Sequence, residues 1–106
     1  MPKYLYEVSY TPEGVRGLRE SGPSSRVKAV EDMGTALGGS LESFHFAFGD
    51  VDAYVVVDLP DDEAAAAVAF TVGASPATRL KTIKLLTVDE ADAAMGRSVD
   101  YRPPGS

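Results

Sequence analysis

An α+β fold built on one four-stranded antiparallel sheet is the expectation for this chain, and three observations carry it. Four segments alternate apolar and polar residues with a period of two, which is strand periodicity. Two longer segments between them place apolar residues at helical spacing. Their order along 106 residues is strand, helix, strand, strand, helix, strand, with a short last helix after them. That order is the split βαβ arrangement. Right-handed crossovers then send both main helices to one face, and the expected strand order is 4-1-3-2.

The first strand covers residues 3–10, with Tyr4, Tyr6, Val8 and Tyr10 on one side and Leu5, Glu7 and Ser9 on the other. Thr11-Pro12-Glu13 reads as a helix start, since threonine caps, proline suits the first turn and glutamate meets the positive helix end. Gly14 and Gly17 are expected to keep that helix short, and Ser21-Gly22-Pro23 to break it. A second helical stretch starts near Ser24 or Ser25. Its stripe is Val27, Val30, Met33 or Gly34, and Leu37, with Arg26, Lys28, Glu31 and Asp32 largely outside it. Gly38-Gly39 ends it, because glycine accepts a left-handed backbone.

The second strand, about 40–48, puts Glu42, Phe44, Phe46 and Phe48 on one face and Leu41, Ser43, His45 and Ala47 on the other. Gly49-Asp50 matches a two-residue hairpin turn with positive φ at the glycine. The third strand, about 51–59, alternates Val51, Ala53, Val55, Val57 and Leu59 against Asp52, Tyr54, Val56 and Asp58. Pro60-Asp61-Asp62-Glu63 opens a helix that buries Ala65, Val68, Ala69 and Val72 and stops at Gly73. A fourth strand runs over about 77–86. Thr87 and Glu90 form a capping box for a helix reaching Met95, and residues 96–106 read as a flexible tail beyond a domain of residues 1–95.

Composition narrows the function classes. A hydrophobic fraction of 44 % and a charged fraction of 25 % fit one folded domain. The net charge of −6 argues against a nucleic-acid surface, which needs clustered Lys and Arg. With no cysteine there is no disulfide framework, thiolate nucleophile or zinc–sulfur site. No apolar run approaches the ~18–20 residues of a membrane span, and the start Met1-Pro2-Lys3-Tyr4 has no secretory apolar region. The expectation is a cytoplasmic protein without a membrane partner. Gly34, Gly38 and Gly39 close a helix instead of opening one, so they make no phosphate loop, and no motif implies a bound cofactor.

A ferredoxin-like sheet with both helices on one side leaves its other face bare, and such a face should be polar. Here apolar residues remain on both faces of the first, third and fourth strands. Four such side chains at ~1.5–3 kcal/mol each give a drive of ~6–12 kcal/mol to cover that face before association costs. Two copies stacked bare face to bare face would form a dimeric α/β barrel with an enclosed interior.

Several stretches resemble the GYD-domain family, small bacterial proteins of the dimeric α/β-barrel group. They are Met1-Pro2-Lys3-Tyr4, Thr11-Pro12-Glu13-Gly14, Leu37-Gly38-Gly39, Phe48-Gly49-Asp50-Val51-Asp52, Pro60-Asp61-Asp62-Glu63-Ala64-Ala65, and Arg79 through Thr87. The similarity covers about residues 1–95. The Gly-x-Tyr-Asp type pattern is kept at Gly49 and Asp52, but Val51 stands where the tyrosine is expected, so no role of that hydroxyl carries over. The resemblance implies the fold and no agreed activity. Related barrels include cofactor-independent monooxygenases, haem-degrading enzymes and small-molecule sensors, a kinship of fold alone.

Four residues are the candidates for chemistry. His45, the single histidine, is a general base or axial ligand if its face lines the barrel, and otherwise an ordinary strand residue. Glu7 and Ser9 interrupt a central strand, where polar groups need partners or water. Glu7 reads as facing a ligand cavity near Tyr54, against the simpler pairing with Lys81 or Lys84. Asp50 and Asp52 offer too few oxygens for calcium, and Asp52 reads as fixing the hairpin turn through backbone N–H groups. The leading expectation is a homodimer binding a small hydrophobic or aromatic molecule near Glu7, Ser9, His45 and Tyr54. The rival is a cofactor-independent monooxygenase or cyclase with His45 as base and Tyr54 as hydrogen-bond donor. A third reading has a filled interior and no ligand.

Overall fold

The computed structural model describes residues 1–105, in the order β1 (Lys3–Tyr10), α1 (Pro12–Ser21), α2 (Pro23–Ala36), β2 (Ser40–Phe46), β3 (Ala53–Asp58), α3 (Asp62–Gly73), β4 (Thr78–Leu85) and α4 (Val88–Met95). The four strands form one antiparallel sheet ordered β2-β3-β1-β4, which read from the β4 edge is 4-1-3-2. Helices α2 and α3 lie on the same face, since Val30 and Met33 of one and Val68 and Val72 of the other meet Tyr6, Val55 and Leu80 around a shared apolar space.

The core sits beneath them. Tyr4, Tyr6, Val8, Ala53, Val55, Val57, Leu59 and Ala65 are buried, and the alternation that selects them is that of the strands themselves. Both core tyrosines use their hydroxyls to tie α3 to the sheet. Tyr6 donates to the Ala65 carbonyl at 2.8 Å and Tyr4 donates to Asp62 Oδ1 at 2.6 Å. Burial pushes each phenol up to about 12, and in Tyr4 the bond to Asp62 adds to the effect.

Four local expectations are corrected. Helix α1 is not a short turn: it runs ten residues through Gly14 and Gly17, capped by Thr11, whose Oγ1 accepts from Gly14 N–H at 3.3 Å. Gly14 is buried because α1 lies hard against the Ala77 carbonyl, where any Cβ would collide. The glycine that looked like a breaker is thus a packing residue.

The hairpin between β2 and β3 is not a two-residue turn. Residues 47–52 form it, Phe48 is fully exposed at its tip, and Gly49 does not have positive φ. Asp52 anchors this loop to the neighbouring strand: its carboxylate accepts from Tyr10 N–H at 2.8 Å and its own N–H donates to the Val8 carbonyl at 2.8 Å. The expected turn-fixing role is therefore met through β1.

In β2 the strict alternation fails at a bulge between Leu41 and Ser43. The extra residue, Glu42, returns Leu41 to the helix-side face with Phe44, opposite Val57 and Val55. On α2, Arg26 is half-buried, with a buried Nε, instead of lying outside the apolar stripe. Positions 26, 30, 33 and 37 share one helical face, and the polar residue at its end is drawn under the helix layer.

The remaining elements follow their signals. Gly38, at φ 85°, closes α2, Asp61 caps α3 through Ala64 N–H at 2.8 Å, and Thr87 with Glu90 forms the full capping box of α4. Helix α4 has no buried residue, and residues 96–105 form no helix or strand. The tail read over 96–106 is described to residue 105, and Ser106 lies outside the described residues. The radius of gyration is 16.8 Å, against about 13 Å for a compact domain of this length. Helix α4 and the segment after it add no buried residue to the core.

Candidate functional site

Pairing register decides which of the candidate residues meet. Across the helix-free face, His45 of β2 is opposite Tyr54 of β3, Tyr54 is opposite Glu7 of β1, and Glu7 is opposite Lys81 of β4. These four make a single polar row perpendicular to the strands. Strands lie ~4.8 Å apart, so neighbours in the row are adjacent while His45 and Lys81 stand about 14 Å from each other. Ser9 lies one row further along, opposite Arg79. The structure therefore brings Glu7, Tyr54 and His45 together and sets Ser9 beside them.

The next row in the other direction is apolar at Val56, Leu5 and Ile83 and ends in Ser43 on β2. Beyond it Lys3, Asp58 and Leu85 close the face, and the Lys3 ammonium binds Glu42 at 2.6 Å and Asp58 at 2.9 Å. Those two bonds, Glu42 first, raise the lysine above its ordinary value. The bare face is thus banded, with an apolar strip between an ion cluster of one ammonium and two carboxylates and a polar row without internal ion pairs. Tyr54 and Ile83 are each 39 % exposed, and Leu5, Val56, Glu7 and Ser9 are half-buried by their neighbours.

Among the described residues no hydrogen bond joins His45 to Tyr54, and no ion pair joins Glu7 to Lys81. Lys84 is not available to Glu7, because it points to the opposite face and binds Asp62 at 2.9 Å. The polar row is a set of open donors and acceptors held by a rigid sheet, with no preassembled base–donor couple. It can hydrogen-bond a molecule laid across it, and the adjacent apolar strip can bury that molecule's hydrocarbon.

Sequence reasoning found Glu7, Ser9, His45 and Tyr54 but gave Lys81 only as a partner for Glu7. The alternation of β4 from Arg79 to Lys81 places both cations on the bare face, a signal available once β4 is taken as the neighbour of β1. Cavities of about 50, 320 and 290 Å³ lie on the helix side, away from this row. No helix among the described residues is long and apolar enough to cross a membrane.

The sequence model of a family described as the GYD domain matches residues 4–95. No curated protein and no solved structure matches the chain.

Proposed function

We propose, from the premise that this chain belongs to the GYD domain family, that it is a homodimeric barrel binding a small hydrophobic or aromatic molecule between two stacked sheets. The observation that carries the reading is the banded face: an apolar strip of Leu5, Val56 and Ile83 running beside the row His45, Tyr54, Glu7, Lys81. A second copy would roof this strip. A ligand held there would meet hydrocarbon along one side and hydrogen-bonding groups along the other, the usual make-up of a small-molecule site.

Magnitudes show what the second copy must supply. With Tyr54 and Ile83 39 % exposed and Leu5 and Val56 less so, each of these four residues retains at most roughly 0.6–1.2 kcal/mol of its ~1.5–3 kcal/mol burial gain. Leu5, Tyr54, Val56 and Ile83 from each copy, eight residues in all, then give at most ~5–10 kcal/mol, against an association cost of ~4–15 kcal/mol. Sheet stacking alone makes a weak dimer. Four strands of about seven residues also present only about 500 Å², short of the ~800 Å² per partner in stable interfaces. The segment after β4 can close that gap, since it follows the edge strand and exposes Leu86, Val88 and Met95.

The test is sedimentation velocity at micromolar concentration combined with native mass spectrometry of the freshly purified protein. A dimer that carries a small apolar molecule and releases it on unfolding is the expected result. A monomer at that concentration overturns the reading.

A further inference from the structure

The side of the sheet under the helices holds a second feature that the barrel reading does not use. A groove of about 320 Å³ opens between α1, α2 and the start of β4, past Gly17, Leu18 and Ser25. Behind it, against the sheet, lies an apolar cavity of about 50 Å³ walled by Tyr6, Val55, Leu80, Met33, Val68 and Val72. The two spaces share Tyr10, Arg26 and Thr78 on their boundary.

Arg26 is the unexplained residue there. Its Nε is buried without a hydrogen-bond partner, and Arg26 enters none of the ion pairs among the described residues. Glu13 lines the same groove but is not within ion-pair distance. An orphaned guanidinium N–H forfeits a strong hydrogen bond, so something is expected to complete it. Water from the inner cavity is a poor candidate, because apolar voids stay dry. The first turn of α2 adds to the positive field, since Gly22 gives it no side-chain cap.

We propose that this groove binds an amphipathic monocarboxylate, its acid group on the Arg26 guanidinium and its hydrocarbon tail shared between the groove and the cavity behind it. Guanidinium and carboxylate match as a two-pronged pair, which selects a carboxylate over an alcohol. The combined space suits a short chain or a single ring, at the lower end of small-molecule sites. This site is on the opposite face from the polar row and does not depend on a second copy of the chain.

The experiment is calorimetric titration of the full chain with decanoate below its micelle concentration, with decanol as the uncharged control, and with ¹⁵N chemical shifts read in parallel. One saturable decanoate site per chain is expected, with shifts at Gly22, Thr78 and Leu80 and decanol binding at least tenfold weaker. Arg26→Met, which keeps the packed stem and removes the charge, should weaken decanoate to the level of decanol. Gly17→Phe provides an independent check, because Gly17 has open space where its side chain would go. It should close the groove to both ligands in a folded protein. Absence of saturable binding, equal affinity for decanol, decanoate binding unchanged in either variant, or shifts confined to Leu5, Val56 and Ile83 would each overturn the proposal.

Discussion

The even and odd residues of β1 occupy one strand and face two environments. Tyr4, Tyr6 and Val8 are 2, 4 and 7 % exposed beneath the helices, whereas Leu5, Glu7 and Ser9 keep a substantial part of their surface on the bare side. On the helix side every polar atom of the core tyrosines is satisfied within the chain. On the bare side, among the described residues, the polar row has no ion-pair partner and the apolar strip has no helix over it. One face holds the monomer together, and the other is organised for something outside it.

Breaking the helix-side face should have the largest effect. Tyr6→Ala removes a buried ring together with its bond to the Ala65 carbonyl. It is expected to cost about 3–5 kcal/mol of unfolding free energy, the range for large-to-small core changes, read from the urea midpoint at unchanged slope. A loss under 1 kcal/mol would mean that the sheet and α3 are not held by this contact.

The bare face should respond differently. Val56→Lys places a charge in the middle of the apolar strip, with solvent in front of it in a monomer and a second sheet in front of it in a dimer. Monomer stability should change by no more than about 1 kcal/mol, while the dimer dissociation constant rises by about 100-fold or more. Sedimentation of the variant across a concentration series measures both states. Equal dimer affinity would place the interface elsewhere, leaving the core argument intact.

The element order, the helix-side core and the three caps at Thr11, Asp61 and Thr87 were legible because each rests on contacts close in sequence or on a strict period. The length of α1 was hidden because Gly14 answers to Ala77, 63 positions away, and composition alone reads it as a breaker. The loop at 47–52 was missed because Gly49-Asp50 imitates a tight turn while Asp52 is bound to β1. One inserted residue at Glu42 reassigned Leu41, since a period of two has no tolerance for a bulge. In the site, Glu7, Ser9, His45 and Tyr54 were identifiable one strand at a time. That Glu7, His45 and Tyr54 form one row with Lys81 follows only from register, which no single segment encodes. Arg26 went unrecognised because a charged residue at the end of a helical stripe is usually solvated.

The smallest expected effect lies where the helix-side face meets the start of α3. Asp62 accepts from the Tyr4 hydroxyl and from Lys84, and these bonds, the tyrosine's first, hold its carboxyl below its ordinary value of 3.8. A carboxyl whose folded pKa is lowered contributes stability above its unfolded pKa and loses it as pH falls through the folded value. Asp62→Asn should therefore lower the thermal midpoint at pH 7 by a small amount, on the order of 1–3 °C for an exposed pair. The difference should shrink below about pH 4 as the native carboxyl takes up its proton and its bond to Lys84 loses its charge. Melting curves from pH 2.5 to 8 test the sign directly: a gap that widens on acidification would mean that Asp62 is held in its neutral form and that Lys84 does not reach it in solution.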